Sequence, residues 1–185
     1  MFFRNWSKDL FTIPNLLSLF RLSLIPVYMT IYLEGKPIFA GGILALSCLT
    51  DLLDGWIARK FNMATDLGKL LDPLADKATQ LCLTVCLSLR YPILESVLLL
   101  LICKEVFQLA AGLFYLRRGK ILTGTLFMGK ICTTVLFCSL TVLLLNPPPV
   151  AINLLAFVDL GVLSLSFLGY VQAYFGSGNY LQNIE

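Results

Sequence analysis

The sequence predicts an all-α membrane protein, with six transmembrane helices behind a short N-terminal interfacial segment. Two observations predict it. Of the 185 residues, 58% are hydrophobic and only 14% are charged, far from the balance of a soluble domain. The apolar residues also gather into six runs, each near the roughly 20 residues a helix needs to cross the hydrocarbon of a bilayer.

Residues 1–12 set Phe2, Phe3, Trp6, Leu10 and Phe11 among Arg4 and Lys8, a pattern that suits a helix lying in the headgroup layer and equally a frayed terminus. Spans are then expected at 14–34, 38–58, 68–90, 93–116, 124–145 and 150–175. The first is expected to be a retained helix, because Arg21 breaks the run and no small-x-small cleavage site follows before Glu34. No repeat, low-complexity tract or Gly/Ser linker divides the chain, so 1–185 reads as a single domain.

Lysine and arginine near the span ends set orientation. With Arg4, Lys8, Arg59, Lys60, Lys69, Arg117, Arg118 and Lys120 on one side and only Lys36 and Arg90 on the other, both termini are expected in the cytoplasm, in a cell (plasma or inner) membrane. The net charge of +3, biased to that face, favours anionic membrane lipids as partners; no basic module with base-reading or stacking residues argues for nucleic acid. All six cysteines sit in apolar runs with no C-x-x-C pair, which argues against a disulfide or metal framework. Histidine is absent, so any catalyst here works with carboxylates, cations and hydroxyls.

One stretch breaks the apolar pattern: Asp51, Asp54, Gly55, Ala58, Arg59, Gly68, Asp72 and Asp76. Ionisable groups at membrane depth are costly, and their default reading is a functional site. Residues three and four apart share a helix face, so Asp51, Asp54 and Ala58 form one stripe and Gly68, Asp72 and Asp76 another. The short connection 59–67 brings the stripes together. Four converging carboxylates repel one another unless cations sit between them, and an all-oxygen ligand set selects hard ions such as Mg²⁺, Mn²⁺ or Ca²⁺. Gly55 and Gly68 leave room for a bulky ligand, and Arg59 offers a planar cation to a phosphate oxygen. Asp72 followed by Pro73 also fits an N-cap with proline at the first helical position, which explains one carboxylate without a metal but not the other three.

Asp51-x-x-Asp54-Gly55-x-x-Ala58-Arg59, eight residues, then Gly68-x-x-x-Asp72-x-x-x-Asp76 resembles the signature of the CDP-alcohol phosphatidyltransferases at all eight defining positions. The resemblance extends over nearly the whole chain. Ile13-Pro14-Asn15-Leu16 through Arg21, and Gly129-Lys130 followed by Thr133, further resemble the branch that makes phosphatidylglycerophosphate. The resemblance implies the family's membrane-helical fold, a homodimer, and transfer of a phosphatidyl group from CDP-diacylglycerol to glycerol 3-phosphate with release of CMP. It implies two ions, Mg²⁺ or Mn²⁺, on Asp51, Asp54, Asp72 and Asp76, with Asp76 also the general base. Gly55, Ala58, Arg59 and Gly68 would shape the CDP pocket.

An acceptor phosphate needs cations, and the candidates are Arg21, Lys104, Arg117, Arg118 and Lys130. Lys130 leads, since an ammonium about two turns into the fifth span needs water, a ligand or a carboxylate. Arg117, Arg118 and Lys120 also fit ordinary positive-inside anchoring. Lys104-Glu105 stands where related synthases usually show Arg-Glu. An alternative is a structural pair, Lys104 or Lys130 meeting Glu105 or Asp159 inside the bundle. Gly112, Gly124, Gly129 and Gly161 are expected at close helix contacts. Three other functions stay open: a cardiolipin synthase or other family member with a different alcohol, a cation transporter using the same carboxylates, and a non-catalytic lipid binder.

Overall fold

The computed structural model describes residues 12–60, 68–117, 120–122, 127–175 and 181–183, and the expected interfacial segment at 1–11 lies outside them. Among the described residues the chain forms six helices: α1 (Ile13–Leu33), α2 (Pro37–Lys60), α3 (Gly68–Ser88), α4 (Leu94–Arg117), α5 (Phe127–Leu144) and α6 (Pro149–Phe175). Two short strands, β1 (Lys120–Leu122) and β2 (Leu181–Asn183), pair antiparallel with Lys120 opposite Asn183 and Leu122 opposite Leu181. This strand pair is an addition to the all-helical expectation. Three-residue segments so far apart in the chain carry no local pattern that announces their pairing.

The chain divides into two compact units, Met1–Cys86 and Leu87–Glu185. In the first, α1 and α2 pack as a hairpin whose turn follows from one glycine. Gly35 takes φ +79, the left-handed conformation that costs glycine least. The amide of Lys36 then donates to the Ile31 carbonyl and that of Gly35 to Tyr32, which satisfies the last carbonyls of α1.

The interior of this unit is graded along α1 and α2. The buried stripe of α1 runs Asn15, Ser18, Arg21, Ile25, Tyr28 and Tyr32, polar at its start and apolar towards the turn. On α2 the order reverses, from Ala40 and Leu44 to Ser47 and Thr50, as antiparallel packing requires. On α3 buried polar and apolar residues are mixed, with Thr79, Gln80 and Thr84 among Ala75, Leu83 and Cys86. Hydroxyls on these faces are satisfied within their own helices, Thr50 donating to the Ser47 carbonyl and Thr79 to Ala75. Outward-facing positions are apolar instead, among them Leu16, Phe20, Val27, Ile38, Phe39 and Leu49. Polar groups inside and apolar groups outside suit a hydrocarbon solvent.

In the second unit α6 packs against both α4 and α5, and β1 lies against α4. Leu94, Val97 and Leu101 of α4, Leu136, Leu140 and Leu143 of α5, and Ala156 and Leu163 of α6 form its core at three- and four-residue spacing. Asn146, at φ 56, closes α5 with its amide on the Leu143 carbonyl. Of the expected close contacts, Gly129 is one: a β-carbon there would lie 2.5 Å from the Tyr170 hydroxyl. Gly112 is in ordinary contact with Tyr174, whereas a β-carbon at Gly161 meets nothing, because that face of α6 points outward. Gly124 lies outside the described residues.

Among the described residues, Asn15–Leu33, Leu94–Tyr115 and Pro149–Tyr174 are long and apolar enough to cross a membrane. The apolar runs of α2 and α5, Pro37–Thr50 and Gly129–Leu144, are shorter. α3 is diluted by Lys69, Asp72, Asp76, Lys77 and Gln80. The protein is a helical membrane protein whose α1 and α2 bury polar residues away from the turn that joins them.

Candidate active site

The carboxylate pattern divides between two helices of the first unit. Asp51, Asp54, Gly55, Ala58 and Arg59 occupy the last turns of α2, while Gly68 opens α3 and Asp72 and Asp76 follow on its next turns. Helical spacing puts Asp51, Asp54 and Ala58 on one face of α2, and Gly68, Asp72 and Asp76 on one face of α3. Capping does not account for Asp72: α3 begins at Gly68, so Asp72 is its fifth residue, with Pro73 the sixth. The side chains of Asp51, Asp54, Arg59 and Asp72 lie outside the described residues. That of Asp76 is described.

Asp76 is met from α1. Arg21 places Nη1 2.8 Å from Asp76 Oδ1, a charge-assisted hydrogen bond between positions far apart in the chain. The arginine side chain is 2% exposed and the aspartate 60%. A carboxylate has two oxygens and about four lone-pair sites, so this bond leaves Asp76 capacity for other partners. One turn along α3, the Thr79 carbonyl accepts from the Tyr28 hydroxyl at 3.1 Å. Arginine and tyrosine are long enough to tie α1 to α3.

Among the described residues no group of three or more His, Cys, Asp or Glu side chains stands within reach of one metal ion, and Asp76 is the only member of the carboxylate set whose side chain is among them. The donor chemistry nonetheless fits a hard divalent cation. Two carboxylates at i, i+3 and two at i, i+4, all oxygen donors without histidine or thiolate, suit Mg²⁺ or Mn²⁺. Asp76 presents its carboxylate outward.

The cations proposed for an acceptor phosphate separate clearly. Lys104 is buried on α4 with Nζ 2.7 Å from Glu105 Oε1 and 5.9 Å from the centre of the Tyr170 ring, which is the structural pair. Arg21 is likewise engaged, with Asp76. Lys130 is exposed on the first turn of α5, not two turns in, because that helix starts at Phe127. Arg117 is exposed at the last residue of α4, and Arg118 lies outside the described residues. Asp159 is buried and accepts a short hydrogen bond from Ser139, so of the two acids offered for a lysine pair it is Glu105 that meets one.

The buried polar group formed by Asn15, Ser18 and Arg21 was only partly visible beforehand. Its signal was available: polar residues recurring at one helical stripe of an otherwise apolar span mark a face turned towards a polar interior.

The model of the family described as CDP-alcohol phosphatidyltransferase matches residues 11–168. This chain belongs to that family. A cation transporter is the poorer description of a member of this family. Among its relatives, the CDP-diacylglycerol–glycerol-3-phosphate 3-phosphatidyltransferase of Bacillus subtilis is 30% identical over 169 residues, 83% of this chain and 86% of that protein. The human cardiolipin synthase (CMP-forming) is 43% identical over 107 residues, 57% of this chain and 35% of that protein. A Schizosaccharomyces pombe cardiolipin synthase (CMP-forming)/mitochondrial hydrolase fusion protein is 38% identical over 110 residues, 60% of this chain. The chain spans only 18% of the length of that fusion protein.

Proposed function

We propose that this protein transfers the phosphatidyl group of CDP-diacylglycerol to glycerol 3-phosphate, giving phosphatidylglycerophosphate and CMP. The observation that carries this reading is the complete eight-position pattern, distributed over the end of α2 and the start of α3 within one compact unit. The match to the Bacillus subtilis relative over most of both chains supports the choice of acceptor.

In this reading Asp51, Asp54, Asp72 and Asp76 hold two divalent cations, Mg²⁺ or Mn²⁺, which when bound neutralise the donor diphosphate and ease the departure of CMP. Asp76 takes the proton of the acceptor hydroxyl while the acceptor oxygen bonds to the phosphatidyl phosphorus. The bond from that phosphorus to the bridging oxygen breaks, and the electron pair leaves with CMP. Gly55, Ala58 and Gly68 keep side-chain bulk away from the cytidine diphosphate, and Arg59 pairs with a diphosphate oxygen. Lys130, Arg117 and Arg118 hold the acceptor's phosphate. The bond of Lys104 to Glu105 supports a structural role for that pair. The active site and both termini face the cytoplasm, the assembly is a homodimer, and 1–185 acts as a single domain, since the family match spans both compact units.

A cardiolipin synthase is the second reading, favoured by the higher identity to the human enzyme over its shorter match. The test is CMP release from CDP-diacylglycerol with Mg²⁺ or Mn²⁺, comparing glycerol 3-phosphate, phosphatidylglycerol, serine and inositol phosphate. Release is expected with glycerol 3-phosphate, is expected to stop on chelation, and to return when the metal is restored. Release with phosphatidylglycerol alone selects the second reading. No release with any acceptor, from folded protein, rejects both.

A further inference from the structure

We infer that Arg21 is a positioning residue: its buried guanidinium orients the Asp76 carboxylate for proton transfer and does not bind the acceptor's phosphate. The inference rests on the proposed role of Asp76 as base.

The asymmetry of the pair carries it. In an ordinary surface ion pair both partners are exposed and both move. Here Arg21 is 2% exposed and Asp76 is 60% exposed, so the cation is held by packing and the acid faces outward. A guanidinium donates in a plane along fixed directions, so the Nη1 bond at 2.8 Å from a packed side chain anchors one carboxylate oxygen, Oδ1, in distance and direction. A cation so enclosed is poorly placed to meet a soluble substrate.

Arg21 is itself fixed. It belongs to the buried stripe of α1, flanked by Ser18 and Ile25, and α1 packs along α2. Tyr28, two turns further on the same stripe, donates to the Thr79 carbonyl one turn beyond Asp76. Two ties, Arg21 to Asp76 and Tyr28 to Thr79, hold α1 and α3 in register. A base must come within about 2.6–3.2 Å of the hydroxyl it deprotonates, and misplacement by about 1 Å costs on the order of 100-fold in rate. Arg21 thus links a helix without motif carboxylates to the reacting one.

The test is the kinetics and thermal unfolding of purified Arg21→Lys, which keeps the charge but not the fork. We expect kcat to fall about tenfold or more while KM for CDP-diacylglycerol and for glycerol 3-phosphate moves less than about threefold. A tenfold rise in KM for glycerol 3-phosphate at unchanged kcat makes Arg21 an acceptor ligand and overturns the proposal, as does wild-type kcat. Arg21 is buried and its variants risk misfolding, so a second arm uses Asp76→Asn, altered at an exposed position. In chelator, the Tm shift of Asp76→Asn combined with Arg21→Lys is expected to be smaller than the two single shifts sum to. Additive shifts overturn the pairing. This arm needs no turnover. If the wild-type protein releases no CMP with any acceptor, the proposed function fails while the unfolding cycle still decides the pairing.

Discussion

Two features meet at Asp76. It carries the pattern's last carboxylate, and it receives the buried guanidinium of Arg21. Replacing Asp76 with Asn keeps the shape and removes the charge, so turnover is expected to fall by about 10² to 10⁴, the range for loss of a general base. Binding of CDP-diacylglycerol, measured by equilibrium methods, should persist within a few-fold because the other three carboxylates remain. Retained turnover would remove Asp76 from the chemistry. The aspartates were legible in the sequence because spaced acids in an apolar chain have few structural explanations. The ion pairs of Arg21 and Lys104 were not: each was a candidate for the acceptor phosphate, and only packing sets Asp76 beside one and Glu105 beside the other. A long, flexible cationic side chain reaches several partners, and periodicity cannot choose among them.

At the scale of elements, α5 and α6 meet where Gly129 leaves space for Tyr170. A β-carbon at Gly129 would lie 2.5 Å from the hydroxyl oxygen and 3.3 Å from the ring carbon bearing it. Tyrosine is stiff, so Gly129→Ala forces the helices or the ring to shift, at an expected cost of about 1 to 3 kcal/mol in unfolding measurements. Adding Tyr170→Phe removes the nearest atom and should recover part of that loss. If Gly129→Ala alone is as stable as the parent, this contact is not tight. The glycine's contact role was readable from the preference of membrane helices for small residues at crossings. The same reasoning failed at Gly161, whose neighbourhood is open, since a small residue on the outer face of a helix looks no different in sequence from one on the inner. The hairpin of α1 and α2 was readable only as a short gap; the left-handed backbone of Gly35 closes it.

For the whole molecule, the lysine and arginine count makes a prediction about orientation that the helices alone do not. Tags at the N-terminus and the C-terminus of the chain in intact cells should both be protected from an external protease and both become accessible on permeabilisation. Exposure of either tag without permeabilisation would reverse or break the proposed topology. The strand pair of 120–122 with 181–183 was absent from expectation, because pairing between distant short segments leaves no local periodicity. By itself the amino-acid order determined a helical membrane protein, the family, and the eight positions of its polar pattern. These are properties of composition and of spacing within a few helical turns, and they survive without knowing how helices pack. Only the tertiary structure decided that α1 and α2 grade from apolar to polar, that Asp72 sits inside a helix and caps none, and which cation meets which acid. Those outcomes depend on contacts between residues distant in the chain, where burial and reach select one partner from several that the sequence alone leaves equivalent.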